Sequence, residues 1–159
     1  MKDIKMNKVL IALDYNPTAQ KIAEIGFSLA KSMNAEVVLL HVLCTPANYT
    51  TIYDPIMGFG GFVPLDASQP DIEFLTKTAF DFLENVKDHL GDSAISIIAK
   101  EGDYADVILE TAHLSRADII VMGSHSKKWL EKILVGSTTE KMLHDTTIPV
   151  LVVPTKKKD

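Results

Sequence analysis

Residues 118–142 read DIIVMGSHSKKWLEKILVGSTTEKM. The opening is a short apolar, β-branched run, Ile119-Ile120-Val121-Met122, which predicts a buried strand. It stops at Gly123. A basic loop with Lys127, Lys128 and Lys132 follows, and Gly136-Ser137 opens a helix. Ser137 and Glu140 have the S-x-x-E spacing of a capping box. A strand that ends at glycine and passes through a basic loop to a helix start builds an anion pocket. The first N–H groups of the helix lack intrahelical partners, its dipole favours negative charge, and glycine admits a phosphate close to the main chain.

Outward from this stretch, four more runs predict strands: residues 8–13 (KVLIAL), 36–43 (EVVLLHVL), 94–99 (AISIIA) and 149–153 (PVLVV). Residues 94–99 alternate more than the others, with Ser93 and Ser96 interrupting them, and are the candidate edge strand. Helical patterns lie between the runs. Asn16-Pro17 reads as N-cap and first helical residue, with Ile22, Ile25, Leu29 and Met33 inward. A helix after Pro70 carries Ile72, Leu75, Ala79, Phe82, Val86 and Leu90 on one face and stops at Gly91. A third begins near Asp103, with Val107, Ile108, Ala112 and Leu114. A fourth begins at Gly136-Ser137. Strict alternation of strand and helix predicts an α/β fold with an open, twisted parallel sheet of five strands, right-handed crossovers and helices on both faces.

The chain of 159 residues is expected to form one domain, residues 1–159. The segment from Thr45 to Gln69 is long for a connection and holds Gly58, Gly60 and Gly61. It reads as a mobile lid, a partner surface or a locally packed loop, within a variable stretch over residues 44–70. Residues 155–159, with Lys156–Lys158, read as a flexible, solvated basic tail. A net charge of −5 argues against a general nucleic-acid surface. No apolar run is long enough to span a bilayer and no export signal is read, so the expected location is the cytoplasm, away from membranes. Cys44, the one cysteine, fits a reducing compartment.

In open α/β sheets, ligands sit beyond the carboxyl ends of the strands, where strand order reverses. The candidate residues are therefore Ala12, Leu13 and Asp14 after the first strand, the His41-Val42-Leu43 end of the second, and Met122, Gly123 and Ser124 after the fourth. Asp14 is the acid at these ends. It suits a ribose hydroxyl or a divalent cation riding on a polyphosphate, and equally a simple turn before a helix. Ser137, Thr138 and Thr139 offer hydroxyl and N–H groups in a first helical turn, or only a cap. The histidines lack ligand spacing, so no protein metal site is predicted. His41 reads as a core histidine with its polar atoms satisfied, and His125 as solvent-facing or near phosphate. The motifs of P-loop NTPases, α/β-hydrolases and dinucleotide-binding folds are absent.

Four segments together, VLIALD, AEVVLLHV, ADIIVMGSHS and VGSTTEKMLHDTTIPVLVVP, make nearly the whole chain resemble a universal stress protein domain. The nucleotide-binding branch of that family has the pattern G-x2-G-x9-G-S/T. Gly123 matches its first glycine and Gly136-Ser137 its last pair, with the nine-residue spacer intact. Ser126 replaces the second glycine, adding a Cβ that penalises positive φ and a hydroxyl able to bind phosphate. The resemblance implies strand order 3-2-1-4-5. It implies a homodimer paired through the last strand, Ile148-Pro149-Val150-Leu151-Val152-Val153. It also implies ATP or AMP as ligand, with Mg or Mn accompanying ATP near Asp14. Asp14 and Val42 would meet ribose and adenine, Met122 and Gly123 the adenine side, and Ser126, Gly136, Ser137 and Thr138 the phosphates. Ala12, Leu13, Ser124, Val135 and Thr139 complete the candidate set.

The implied function is an adenine-nucleotide-binding regulatory protein of the stress response, passing its state to a protein partner of unknown identity. Two alternatives stand beside it: a dimeric interaction module with a vestigial pocket, and a slow ATP hydrolase. For the hydrolase no general base for water is assignable.

Overall fold

The computed structural model describes residues 2–43, 51–53, 62–64, 71–123 and 143–154. In chain order the elements are β1 (Lys8–Ala12), α1 (Ala19–Met33), β2 (Glu36–Leu43), β3 (Thr51–Tyr53), β4 (Phe62–Pro64), α2 (Ile72–Leu90), β5 (Ser96–Glu101), α3 (Tyr104–Ser115), β6 (Ile119–Gly123) and β7 (Val150–Val153). The main sheet has five strands in the order β5-β2-β1-β6-β7. Each pairing is parallel. Counting only the five runs expected from sequence, this is the order 3-2-1-4-5.

The apolar runs are continuous because both faces of the sheet are covered. Val9, Ile11, Val37, Leu39 and Val121 share a cluster with Ala19, Ile22, Ala23 and Ala30 of α1 and Phe82, Leu83 and Val86 of α2. Leu10, Val38, Leu40 and Ile120 share the opposite cluster with Ala105, Val107, Ile108 and Ala112 of α3. The register Leu10↔Val38 and Ile11↔Leu39 sets like residues side by side on each face.

Several boundaries differ from expectation for identifiable reasons. The first strand ends at Ala12 rather than Leu13, although the Leu13 N–H still donates to the Leu40 carbonyl at 2.8 Å. The third run is shifted two residues along and does lie at an edge of the sheet. Ala94 belongs to a turn, its N–H donating to Asp92 Oδ1 at 2.9 Å. The strand instead continues through Lys100 and Glu101, which pair with Val42 and Leu43. Ladder partners, not side-chain polarity, decide where it stops.

Helix α1 starts at Ala19, three residues after the expected cap. Asn16 Oδ1 accepts from the Thr18 N–H at 3.0 Å and from Thr18 Oγ1 at 2.7 Å, closing a local turn before the helix begins. Its inward face is Ala19, Ile22, Ala23, Gly26 and Ala30. Ile25, expected inward, is exposed. A Cβ on Gly26 would lie 2.6 Å from Ile11 Cδ1. The helix therefore packs close to the sheet, and apart from Ile22 small residues face it.

Helix α2 is capped by Asp71, which accepts from the Phe74 N–H, and ends at Gly91 as expected. Leu75, Ala79, Phe82 and Val86 are buried as expected, but Ile72 is exposed. Helix α3 follows Asp103 and buries Val107, Ile108 and Ala112, whereas Leu114 is 73% exposed. The onset of the fourth helix at Gly136-Ser137 lies outside the described residues; residues 143–145 are helical. Within the Thr45–Gln69 segment, β3 and β4 form a separate antiparallel pair, Ile52 opposite Val63. That pair was not foreseen from sequence. Among the described residues, no helix is long and apolar enough to cross a membrane.

Candidate functional site

The chain reverses direction across the sheet at β1. The next strands, β2 and β5, extend to one side of it, and β6 and β7 to the other. The switch point therefore lies between the carboxyl ends of β1 and β6, the place where α/β folds take ligands. Asp14 follows β1 at this point, and Gly123 is the last residue of β6. The sheet brings Ala12, Leu13, Asp14, Val42, Met122 and Gly123 to one end. Ser124, Ser126, Val135, Gly136, Ser137, Thr138 and Thr139 lie outside the described residues, as do His125, Lys127, Lys128 and Lys132.

Ala12, Val42 and Met122 belong to the same apolar cluster, on the α3 face. They come from three strands, yet their alternation puts them on one side of the sheet. Leu13 belongs to the opposite cluster, on the face of α1 and α2. Its N–H donates to the Leu40 carbonyl and its own carbonyl lies 2.9 Å from His41 Nδ1. Asp14 is half-buried between these two faces. Among the described residues, no group of three or more His, Cys, Asp or Glu is placed to hold a metal ion.

Sequence reasoning missed the packing beneath Asp14. His41 is buried, as its strand position predicts. Its ring stacks on Tyr15 with centroids 4.3 Å apart and planes 24° apart. Phe82 of α2 meets Tyr15 edge-on at 5.1 Å and His41 at 6.0 Å. A carbonyl oxygen only accepts, so Nδ1 carries the proton and donates to Leu13. The Nε2 lone pair is buried and has no hydrogen-bond partner among the described residues. His41 is thus a core histidine, but satisfied at one nitrogen rather than two. Burial pushes its pKa down to about 4, only partly opposed by the bond to Leu13. The ring is neutral at neutral pH. Tyr15, next to an acid in a turn, carried no distinguishing sequence signal.

The universal stress protein family profile matches residues 5–154. The chain belongs to the universal stress protein family. A universal stress protein of Methanocaldococcus jannaschii is 33% identical over 162 residues, spanning 96% of this chain and 98% of that protein. A solved structure of the same archaeal protein aligns with a TM-score of 0.68 at 29% identity, over 98% of this chain and 100% of that one. A universal stress protein crystallised in complex with cAMP aligns with a TM-score of 0.66 at 15% identity, over 94% and 98% of the two chains. One from Archaeoglobus fulgidus in complex with dAMP aligns at 0.57 and 15% identity, over 94% and 99%. At such low identity the last two share the fold with this universal stress protein and nothing finer.

Proposed function

We propose that this universal stress protein binds an adenine nucleotide, ATP or AMP, at the switch point between β1 and β6, and acts as a regulatory homodimer in the stress response. One observation carries the reading. A carboxylate, Asp14, follows β1 at the switch point, beside the glycine end of β6. The G-S pair expected at the phosphates stands at its family spacing in the sequence, Gly136-Ser137. Family members crystallised with cAMP and dAMP support an adenylate as the ligand class.

In this reading the cluster that holds Ala12, Val42 and Met122 gives the base an apolar seat. Asp14 accepts a hydrogen bond from ribose, and Ser126, Gly136, Ser137 and Thr138 receive the phosphates. Asp14 is one carboxylate rather than a cage. A magnesium or manganese ion would therefore arrive with ATP and be held mainly by phosphate oxygens. The homodimer would form at β7, an edge strand on which Leu151 and Val152 are exposed. A protein partner would read the nucleotide state.

The test is calorimetry of the purified protein with ATP and with AMP at millimolar ligand, with magnesium or manganese present. Binding is expected, and Asp14→Ala should weaken it about tenfold or more. No heat of binding for either nucleotide would overturn the proposal. Ser126→Gly sharpens it: a large gain from near-zero affinity would assign the wild-type pocket a vestigial role.

A further inference from the structure

We propose that His41 is a positioning residue for Asp14, gripping the residue on either side of it, an inference that rests on the nucleotide-binding reading. The Nδ1–H of His41 donates to the carbonyl of Leu13 at 2.9 Å. The face of the same ring stacks on Tyr15 at 4.3 Å. Leu13 and Tyr15 flank Asp14 in the chain. One side chain from β2, 28 residues away from Leu13 in sequence, thus holds both neighbours of the acid.

The surroundings make this grip rigid. His41, Leu13 and Tyr15 are all buried, and Phe82 is fully so. Phe82 stands edge-on to both other rings and packs against them in the core. Leu13 is tied twice to β2, through its N–H to Leu40 and through its carbonyl to His41. An isolated carboxylate in a strand-to-helix turn would sample several orientations. With both neighbours fixed, the backbone that carries the carboxylate is set before a ligand arrives, which lowers the ordering cost of binding.

A merely structural role and a positioning role separate in two variants. His41→Phe keeps the ring and its stacking but removes the donor. His41→Asn loses the ring but keeps an N–H donor at the Nδ1 position. For positioning, His41→Phe should weaken ATP binding about tenfold, the affinity equivalent of one lost hydrogen bond. His41→Asn should stay within about threefold of wild type although it is the less thermally stable of the two. A structural role instead makes affinity follow stability, with His41→Asn the worse binder. That ranking, or wild-type affinity in His41→Phe, would overturn the proposal.

The effect must also run through Asp14. In an Asp14→Ala background, His41→Phe should cost no further affinity; an undiminished loss, or an Asp14→Ala variant that binds as wild type does, would overturn it. A final arm needs no nucleotide. Amide hydrogen exchange at Asp14 and Tyr15 in the ligand-free protein should accelerate about tenfold or more in His41→Phe and little in His41→Asn. If the wild type binds no adenine nucleotide, the binding reading fails by itself. The exchange arm then decides alone whether His41 sets this turn, unchanged exchange in His41→Phe overturning it.

Discussion

The two ends of β1 are fastened by different chemistry. At the amino end, Asp118 Oδ2 accepts from the Asn7 N–H at 2.7 Å and the Lys8 N–H at 3.0 Å, in an exposed to half-buried setting. At the carboxyl end, neutral His41 donates to Leu13 in a buried ring cluster. The amino end is fixed by a charge that water can reach and partly replace. The carboxyl end is fixed by packing, a ladder bond to Leu40 and one buried, neutral side-chain bond. A parallel sheet keeps its ligand at the carboxyl end. The fastening that tolerates least change therefore lies beneath the candidate site, and the one that tolerates most lies far from it.

Breaking the ring cluster should have the largest effect. Phe82→Ala removes the ring that backs both Tyr15 and His41 and leaves a cavity in the core. A loss of ~3–5 kcal/mol is expected in urea denaturation, with faster exchange at Asp14 and Tyr15. A drop below ~1 kcal/mol would mean the cluster is not the rigid element described.

Acid should act on the carboxyl end next. The His41 pKa is lowered from 6.5 to about 4 by burial. The unfolded chain therefore binds this proton before the native state does. The histidine's share of stability is complete above pH 6.5 and disappears as pH falls towards 4. The loss is on the order of 3 kcal/mol. The change in unfolding free energy between these pH values, measured by denaturant titration, should shrink in His41→Phe by about that amount. An identical pH slope in wild type and variant would show that another group is responsible.

The amino end should give the smallest change. Asp118→Ala removes the side-chain acceptor of two backbone N–H groups and should cost about 2 kcal/mol. Nucleotide affinity should be untouched, because Asp118 lies at the opposite end of the sheet from Asp14. Calorimetry on this variant is the direct check, and an affinity loss comparable to that of His41→Phe would erase the distinction between the two ends.

Much of this architecture is legible in the residues. Runs such as EVVLLHVL leave no polar face and so require cover on both sides. The phase of α2 follows from Leu75, Ala79, Phe82 and Val86. Two features mislead a hydrophobicity reading. On α1, Ile25 looks like a core residue, but the close approach of helix to sheet selects Gly26 and its alanine neighbours. On β5, Lys100 and Glu101 look like a loop, but their backbones complete the ladder with β2. For the site, the strand-end rule finds Asp14, Val42 and Gly123 from sequence. It does not find the His41 grip, because a contact between residues 13 and 41 depends on strand register, and nothing local to either residue specifies it.

The close seat of Gly26 on Ile11 has a consequence for how this family member can vary. It pins α1 against β1 only two residues before Leu13. The link over residues 13–18 joins two parts that cannot slide past each other, while His41 holds it from below. Surface connections usually absorb inserted or deleted residues. This one has no slack. In a library of single-residue insertions and deletions, residues 13–18 should be depleted among folded clones, so the gene can change the letters of this link but not its length.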